Sequence, residues 1–483
     1  MALSNISQTL FFYDLETTGV NPRGARIVQF AGQRTDIELN PVSEPYNFLI
    51  KLSEEVIPEP GAVVVTGITP QKTQMDGITE AEFFKIFTNE IAQPKTVFVG
   101  FNSIRFDDEF MRFGLYRNFY DAYEWQWKDG SSKWDILDVS RMTRALRPDG
   151  MNWPFAPDGK PSNRLEYLTK VNKLGHDNAH NALSDVTATI SVAKLIKQKQ
   201  PKLFDYLLNI RSKKSVGEFV KNNKTFVYVS GKYSYENDKL AVVENFGNHP
   251  TKNDVVLVYN LLINPSKFLK MTPNQLADAW AYKKDQKETD KVPVKSLQFN
   301  KCPSVAPLSV LGDSDKVRLK IDDKLIKKHQ AILNSEPDFY NKICEAIKIV
   351  ESSYDQQEMV IDSSNVDSKL YDGFINDSDK KLSKDFRESK PEKLSEISSK
   401  FTDPRLKSLA PLYKARNYPK SLTPEERAQW EVHKSTLYTK NLPTFIKQFE
   451  QIAGSASLSA NDQYVLEELK MYVESLIPPE LYG

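Results

Sequence analysis

The sequence predicts an α/β domain over residues 1–199, a small β-barrel region over 200–351 and an α-helical region over 355–483. Three observations carry this. Up to about residue 199, strand-like and helix-like segments alternate, as they do in α/β domains. Between 225 and 299, short β-branched and aromatic runs follow one another with turn residues between them, the spacing of a small barrel. From about Lys316 apolar residues recur every three or four positions, the helical period. A chain of 483 residues also exceeds what one core holds at ~150 residues per domain.

The first domain opens with strands at Leu10–Leu15, Ile27–Arg34 and Phe48–Leu52. TEAEFFKIFTNEIA (79–92) reads as a helix, with Phe83, Phe84, Phe87 and Ile91 on one face. TVFVGF (96–101) is a short buried-strand run that leads into a helix from about Phe106. In the second region TFVYVSG, KLAVVENF and DVVLVYNLL (225–262) and VPVKSLQF (292–299) are strands, and KLIKKHQAIL (324–333) and YNKICEAIKIV (340–350) are helices. The polar SSYDQQE (352–358) is expected to link the second region to the third. Segments 379–400, 424–451 and 458–477 are helical, the Lys/Ser/Glu-rich first of them solvated.

Composition excludes little. Hydrophobic residues make up 40% and charged residues 27%, ordinary for a globular chain. The 65 basic and 64 acidic residues give a net charge of +1, so any polyanion would be met by a local basic patch rather than by the total. Cys302 and Cys344 stand alone, which gives no CxxC metal site and fits a reducing compartment. The apolar run Leu10–Tyr13 ends at Asp14 without a basic flank, unlike a signal peptide, and no stretch approaches the ~20 apolar residues of a membrane span. A cytoplasmic monomer with no membrane partner is the expectation.

The chemistry starts at FFYDLETTGV (11–20), a strand that carries Asp14 and Glu16. Residues i and i+2 of a strand share a face, so the two carboxylates project together. Paired anions in a partly buried site repel, and a hard divalent cation such as Mg²⁺ or Mn²⁺ removes that cost. The alternative is that each pairs with a Lys or Arg or faces water. More carboxylates occur at GFNSIRFDDEF (100–110), where a strand runs into a helix bearing Asp107, Asp108 and Glu109; an acidic first turn also suits the helix dipole. A further one is Asp185 in NAHNALSDVTATISVAKLIK (178–197), whose helix takes Asn181 as N-cap. His180 then lies on the preceding loop, close to Asp185; on a regular helix the two would diverge by about 140°.

D-x-E on a first strand, Asp at a strand-to-helix junction and H-x(4)-D opening a later helix together resemble the DEDDh exonuclease superfamily. Four carboxylates can hold two metal ions ~4 Å apart for in-line phosphodiester displacement, with the histidine as general base. Further stretches, among them PGAVVVTGITP (60–70), LYRNFYDAYEWQW (115–127), KWDILDVSRMTRALRPDGMNWP (133–154), PSNRLEYLTK (161–170), FNKCPSVA (299–306), KLYDGFINDSD (369–379) and YKARNYP (413–419), resemble the bacterial exodeoxyribonuclease I family. The resemblance implies an RNase H-like exonuclease domain, an SH3-like domain and a helical domain. It implies digestion of single-stranded DNA from a free 3′ end to nucleoside 5′-monophosphates, with two Mg²⁺ (or Mn²⁺) ions. It assigns the metal ligands to Asp14, Glu16, Asp107 and Asp185, the catalytic base to His180, and DNA contacts to Arg112, Tyr123, Trp127, Arg141 and Arg164, with Glu16 also meeting substrate. Spacing alone does not separate Asp107 from Asp108; the resemblance selects Asp107. It further implies that the acidic tail of single-stranded DNA-binding protein docks near Arg147 and Tyr206. An RNA exonuclease and a non-catalytic nucleic-acid-binding scaffold are the other readings of the same motifs.

Two features bear on strand binding directly. Tyr116, Phe119, Tyr120, Tyr123, Trp125, Trp127 and Trp134 fall within twenty residues, where 11% aromatic content would give about two. Most are expected in a core, some against bases. Arg112, Arg117, Arg141, Arg144, Arg147 and Arg164 flank them as phosphate contacts. VVVTGITP (63–70) reads as a loop beneath the terminal nucleotide, with Ile68 as a wedge or else a core residue.

Overall fold

The computed structural model describes residues 7–176, 180–280, 290–360, 365–456 and 458–477. In chain order the elements are β1 (Thr9–Thr17), β2 (Ile27–Thr35), β3 (Tyr46–Leu49), α1 (Pro60–Thr66), α2 (Pro70–Asp76), α3 (Glu80–Ile86), β4 (Thr96–Gly100), α4 (Asp107–Arg117), β5 (Ser132–Asp135), α5 (Ile136–Leu146), α6 (Leu165–Val171), α7 (Ala182–Lys199), α8 (Pro201–Ile210) and α9 (Lys213–Asn222). Strands β6 (Thr225–Val229), β7 (Leu240–Asn248) and β8 (Val255–Asn260) follow, then α10 (Ser266–Leu269), α11 (Pro273–Trp280), β9 (Val294–Gln298), β10 (Ser304–Pro307), α12 (Asp313–Arg318), α13 (Asp323–Asn334) and α14 (Phe339–Val360). The last helices are α15 (Asp377–Glu388), α16 (Leu394–Ser398), α17 (Pro404–Asn417), α18 (Pro424–Ala453) and α19 (Ala460–Leu476).

The chain forms two compact units, and neither is continuous in sequence. The first comprises 1–132, 177–187 and 363–483; the second comprises 133–176 and 188–362. The sheet of the first unit runs β3-β2-β1-β4. β1 is central, antiparallel to β2 and parallel to β4, with Phe12 opposite Val99. Its side chains alternate. Phe11, Tyr13 and Leu15 enter a core with Phe30, Phe83, Phe84, Phe87, Phe98, Phe110 and Trp125. That commits Asp14 and Glu16 to the opposite face. The core is dense in aromatic pairs, such as Phe98 edge-on to Trp125 at 4.7 Å and Phe83 against Phe84 at 4.8 Å.

The C-terminal helices belong to this same unit. Phe113, Tyr116 and Phe119 share a core with Phe386, Leu394, Phe401, Leu406, Leu409 and Tyr413, and Val28, Leu52, Val63 and Ile68 share another with Phe445, Val465, Leu469 and Tyr472. A buried charge cluster lies alongside: Arg26 and Arg416 both reach Asp367 Oδ2 at 2.6 Å, and Arg416 Nε reaches Glu55 Oε1 at 2.8 Å.

The second unit carries a five-stranded antiparallel sheet in the order β10-β6-β7-β8-β9. Three expectations need correction. Residues 352–358, read as a linker, lie inside α14. Residues 63–66, read as loop, lie in α1: Pro60 sits at its first position and Gly67, at φ 65°, closes it by donating to the Val63 carbonyl at 2.9 Å. The stretch 379–400 is helical but not wholly solvated, because Phe386 and Leu394 are core residues. Among the described residues no helix is long and apolar enough to cross a membrane.

Candidate active site

The site is built on the face of β1 turned away from the aromatic core. Asp14 and Glu16 come from β1, and Asp185 from the first turn of α7. The three carboxylates each offer an oxygen within 4.8 Å of the others, the one such metal-compatible group among the described residues. Asp107, the first residue of α4, is buried and acts on the same group. Burial, then Asp107, Asp185 and Glu16 in that order, holds the Asp14 carboxyl well above the usual range. Burial, then Asp185 and Asp107, pushes Glu16 up to about 9. Two buried acids raised in this way by their carboxylate neighbours mark a site for cationic charge, and an all-carboxylate set suits a hard divalent ion.

The structure separates Asp107 from Asp108. The Tyr13 hydroxyl donates to Asp108 Oδ1 at 2.6 Å, and Arg112 Nη2 stands 3.8 Å from its other oxygen. Asp108 is thus engaged on the core side, and it is Asp107 whose charge acts on Asp14 and Glu16.

The opening of α7 is fixed by short-range chemistry. Asn181 caps it: the Ser184 amide donates to Asn181 Oδ1 at 3.4 Å, and the Asp185 amide to the Asn181 carbonyl at 3.0 Å. The Ala182 amide donates to Gln29 Oε1 at 3.4 Å; Gln29 lies opposite Glu16 on β2 and also donates to Asn47. That bond docks the α7 start beside the D-x-E strand. His180 precedes the helix with φ 65°, exposed, and its amide donates to Asp185 Oδ2 at 3.2 Å. The loop placement of His180 predicted from the sequence therefore holds, and its backbone is tied to the carboxylate it neighbours.

The expected DNA contacts differ in availability. In the first unit, Trp127 is 63% exposed, the one strongly exposed side chain of its aromatic cluster, whereas Tyr116, Phe119 and Trp125 are core residues. Arg112 is only 8% exposed: Nη1 donates to Glu109 at 2.6 Å, Nη2 to Gln126 at 2.7 Å, and its guanidinium lies 5.7 Å from the Tyr123 ring centroid. Ile68 is buried in the core with Val28, Leu52 and Phe445, and also lines a small cavity with Thr17, Thr18 and Thr66. In the second unit, Arg164 keeps a 71% exposed side chain, and Arg141 pairs with Asp138 at 2.8 Å. Arg147 donates to the Leu146 and Val310 carbonyls at 2.6 and 3.1 Å and lies 3.5 Å from Asp315; the Tyr206 hydroxyl donates to the Val305 carbonyl at 3.0 Å. Arg117 and Arg144, read as phosphate contacts, are instead buried. Arg117 pairs with Glu80 at 2.8 Å, and Arg144 donates to the Pro154 and Ser162 carbonyls at 3.0 and 2.8 Å.

Sequence reasoning missed Gln29 and Tyr13. Tyr13 carried a usable signal, because the residue just before Asp14 on one strand must face away from the carboxylates, toward the core. Gln29 carried none.

Comparison with known proteins extends this geometry. Residues 11–193 match the family described as Exonuclease, 211–348 the Exonuclease I SH3-like domain and 364–476 the Exonuclease I C-terminal domain. The chain is 37% identical over 469 residues to exodeoxyribonuclease I of Haemophilus influenzae, covering 96% of this chain and 98% of the relative. It is similar to the crystal structure of Escherichia coli exonuclease I in complex with a dA16 oligonucleotide, with a TM-score of 0.91, 36% identity, and coverage of 98% of this chain and 100% of that one. It is also similar to the structure of an ExoI/SSB-Ct complex, with a TM-score of 0.89, 35% identity and the same coverage. Likeness at this identity over essentially the full length means that the chain belongs to the exonuclease I family of exodeoxyribonucleases.

Proposed function

We propose that this chain is a Mg²⁺-dependent 3′→5′ exonuclease that digests single-stranded DNA to nucleoside 5′-monophosphates and acts in DNA repair and recombination. The observation that carries the reading is the convergence of Asp14, Glu16 and Asp185 within 4.8 Å, with Asp107 adding its charge to them. The donor set fits a pair of hard divalent ions: all oxygen, all carboxylate, with Asp14 and Glu16 raised by burial and by their acidic neighbours. Such ions, when bound, supply Lewis-acid activation of water and neutralise charge on the phosphodiester. Asp14, Glu16, Asp107 and Asp185 would hold them.

The remaining steps fall to the chain's own groups. The His180 imidazole, on an exposed turn whose amide is tied to Asp185, takes the proton of the attacking water as general base. The buried face of β1 keeps two ligands rigid, which favours an in-line geometry. Trp127 offers an open aromatic surface for a base, and Arg164 and Arg141 offer charge to phosphates. Within the first unit Arg112 and Tyr123, which pack on one another, would meet the strand, and Ile68 backs the terminal nucleotide from beneath. The acidic tail of single-stranded DNA-binding protein would be met by Arg147 and Tyr206, which are anchored on residues 305–315 of the second unit.

The test is product analysis of 5′-labelled and 3′-labelled single strands, DNA and RNA, with and without Mg²⁺. Mononucleotides released from the 3′ end of DNA only with metal are expected. Faster hydrolysis of RNA, activity in chelator, or no nucleotide release would each overturn the assignment.

A further inference from the structure

We propose that Tyr371, on the C-terminal segment, is a positioning residue for the active site: with Arg112 it clamps Glu109 and so fixes the first turn of α4, on which Asp107 is mounted. The inference rests on the functional reading above but names a device outside the ligand set.

The need for a clamp follows from the local sequence. α4 begins with Asp107, Asp108 and Glu109, three successive acids, and the residue before them is Phe106, which makes no side-chain cap. The turn's backbone is held, the Glu109 amide donating to the Phe106 carbonyl at 3.0 Å, but no capping side chain sets the acids' rotamers. Like charges in that turn compete for the same favourable field, so their attraction to the helix dipole does not by itself choose a rotamer for each. A ligand mounted there needs its neighbours held.

The structure holds them one by one. Asp108 receives the Tyr13 hydroxyl at 2.6 Å and faces Arg112 at 3.8 Å. Glu109 receives Arg112 Nη1 on Oε1 at 2.6 Å and the Tyr371 hydroxyl on Oε2. Arg112 is itself fixed by Gln126 Oε1 at 2.7 Å. The partners of Asp108 and Glu109 thus draw both side chains to named positions, while Asp107 acts on Asp14 and Glu16. A continuous chain of contacts runs from Tyr371 through Glu109, Arg112 and Asp108 to Tyr13, the residue before Asp14.

Tyr371 is half-exposed, but its ring and its turn are both held. Its ring stands edge-on to Phe113, a residue of α4, at 5.7 Å between centroids. Its turn, Val366–Asp372, is fastened at both ends: the Tyr116 hydroxyl donates to the Val366 carbonyl at 3.1 Å, and Arg405 donates to the carbonyls of Lys369 and Gly373 at 3.0 and 2.9 Å. The hydroxyl reaches across 262 positions of sequence to meet Glu109.

The test compares wild type, Tyr371→Phe and Glu109→Gln in the full-length protein. The measurements are kcat, KM for a single-stranded oligonucleotide, the Mg²⁺ concentration for half-maximal rate, Mn²⁺ binding by electron paramagnetic resonance, and Tm. A positioning role predicts that Tyr371→Phe lowers kcat about 5- to 20-fold and weakens Mn²⁺ binding several-fold, with KM and Tm close to wild type. It also predicts that combining the two substitutions costs little more than one, because both break the same clamp. Wild-type kcat and Mn²⁺ binding in Tyr371→Phe would overturn the inference, as would a change confined to KM, which marks a substrate contact, or to Tm, which marks packing alone. Wild-type protein lacking metal-dependent hydrolysis in the same assay would instead strike the functional reading beneath it.

Discussion

Replacing Asp14 with Asn separates what the carboxylate site does for catalysis from what it costs the fold. Asp14 lies among three other acids, and its own pKa is raised first by burial and then by Asp107, Asp185 and Glu16. Two unit charges 4.8 Å apart, the span within which the Asp14, Glu16 and Asp185 oxygens lie, repel by about 3.5 kcal/mol at an effective dielectric of about 20. Proton uptake by the cluster caps what is felt at neutral pH, so relief of about 1–3 kcal/mol is expected on removing one charge. At about 2 °C per kcal/mol, the low end for a large domain, the metal-free variant should melt roughly 2–6 °C above metal-free wild type. On the proposed function the same change deletes a metal ligand, so activity should fall at least about 100-fold, and stabilisation by Mg²⁺ should be largely lost relative to wild type. Differential scanning fluorimetry in chelator and in Mg²⁺, beside a nuclease assay, reads all three. An Asp14→Asn protein that is less stable than wild type without metal would refute the repulsion argument, as would one that gains as much as wild type from Mg²⁺.

Burial raises the Asp367 and Glu55 carboxyls, but Arg416 and Arg26 outweigh it and hold both below the ordinary carboxylate range. Their contribution is therefore present above the unfolded carboxylate pKa of about 4 and lost as pH falls through the folded values. The Tm gap between wild type and Asp367→Asn should be wide at pH 7, about 3–5 kcal/mol in stability, and close below about pH 4; a gap independent of pH counts against it. Trp127→Ala should raise KM for single-stranded DNA roughly fivefold or more with Tm unchanged, and Trp127→Phe should retain most of the affinity, as steady-state kinetics with a fluorescent oligonucleotide will measure. Gly114→Ala on α4 gains about 1 kcal/mol of helix propensity, but its methyl would overlap the buried Phe84 ring. Overpacking of about 1–3 kcal/mol should win, giving a net loss of stability in a denaturant titration.

The parts of the site that were legible in sequence are those fixed by local geometry. A strand with Phe11, Tyr13 and Leu15 on one face must put Asp14 and Glu16 on the other. Asn181 before an apolar-periodic run must begin a helix, which leaves His180 outside it. The misreadings have physical reasons too. VVVT reads as loop, because β-branched residues disfavour a short helix; Pro60 and Gly67, which bracket it, are the overriding signals. The polar run 352–358 carried no breaker, so α14 continued through it. Arg117 and Arg144 look like any exposed arginine in a sequence, because their partners are Glu80, 37 positions away, and two main-chain carbonyls. Asp107 could not be told from Asp108 until Tyr13 was seen to hold the second.

The aromatic run after α4 explains why the helical C-terminus is not a detachable domain. Phe119 takes φ 63° and places its ring 4.4 Å from Phe386, 5.6 Å from Phe401 and 5.4 Å from Tyr413. A bulky residue adopts that backbone only where packing enforces it. The contact is apolar and close-packed, unlike the more polar surfaces between independent domains. The charge cluster adds a second constraint, since Arg26 and Glu55 come from the N-terminal part while Asp367 and Arg416 come from the tail. Separating the parts would strand two buried ions on the N-terminal side and expose Phe113, Phe119, Val28 and Leu52 together. A chain ended before residue 365 should therefore aggregate or melt far below the full-length protein rather than survive as a slower nuclease. A truncated chain that is monomeric by sedimentation and folds cooperatively would show that the tail is an accessory to the nuclease core and not a part of it.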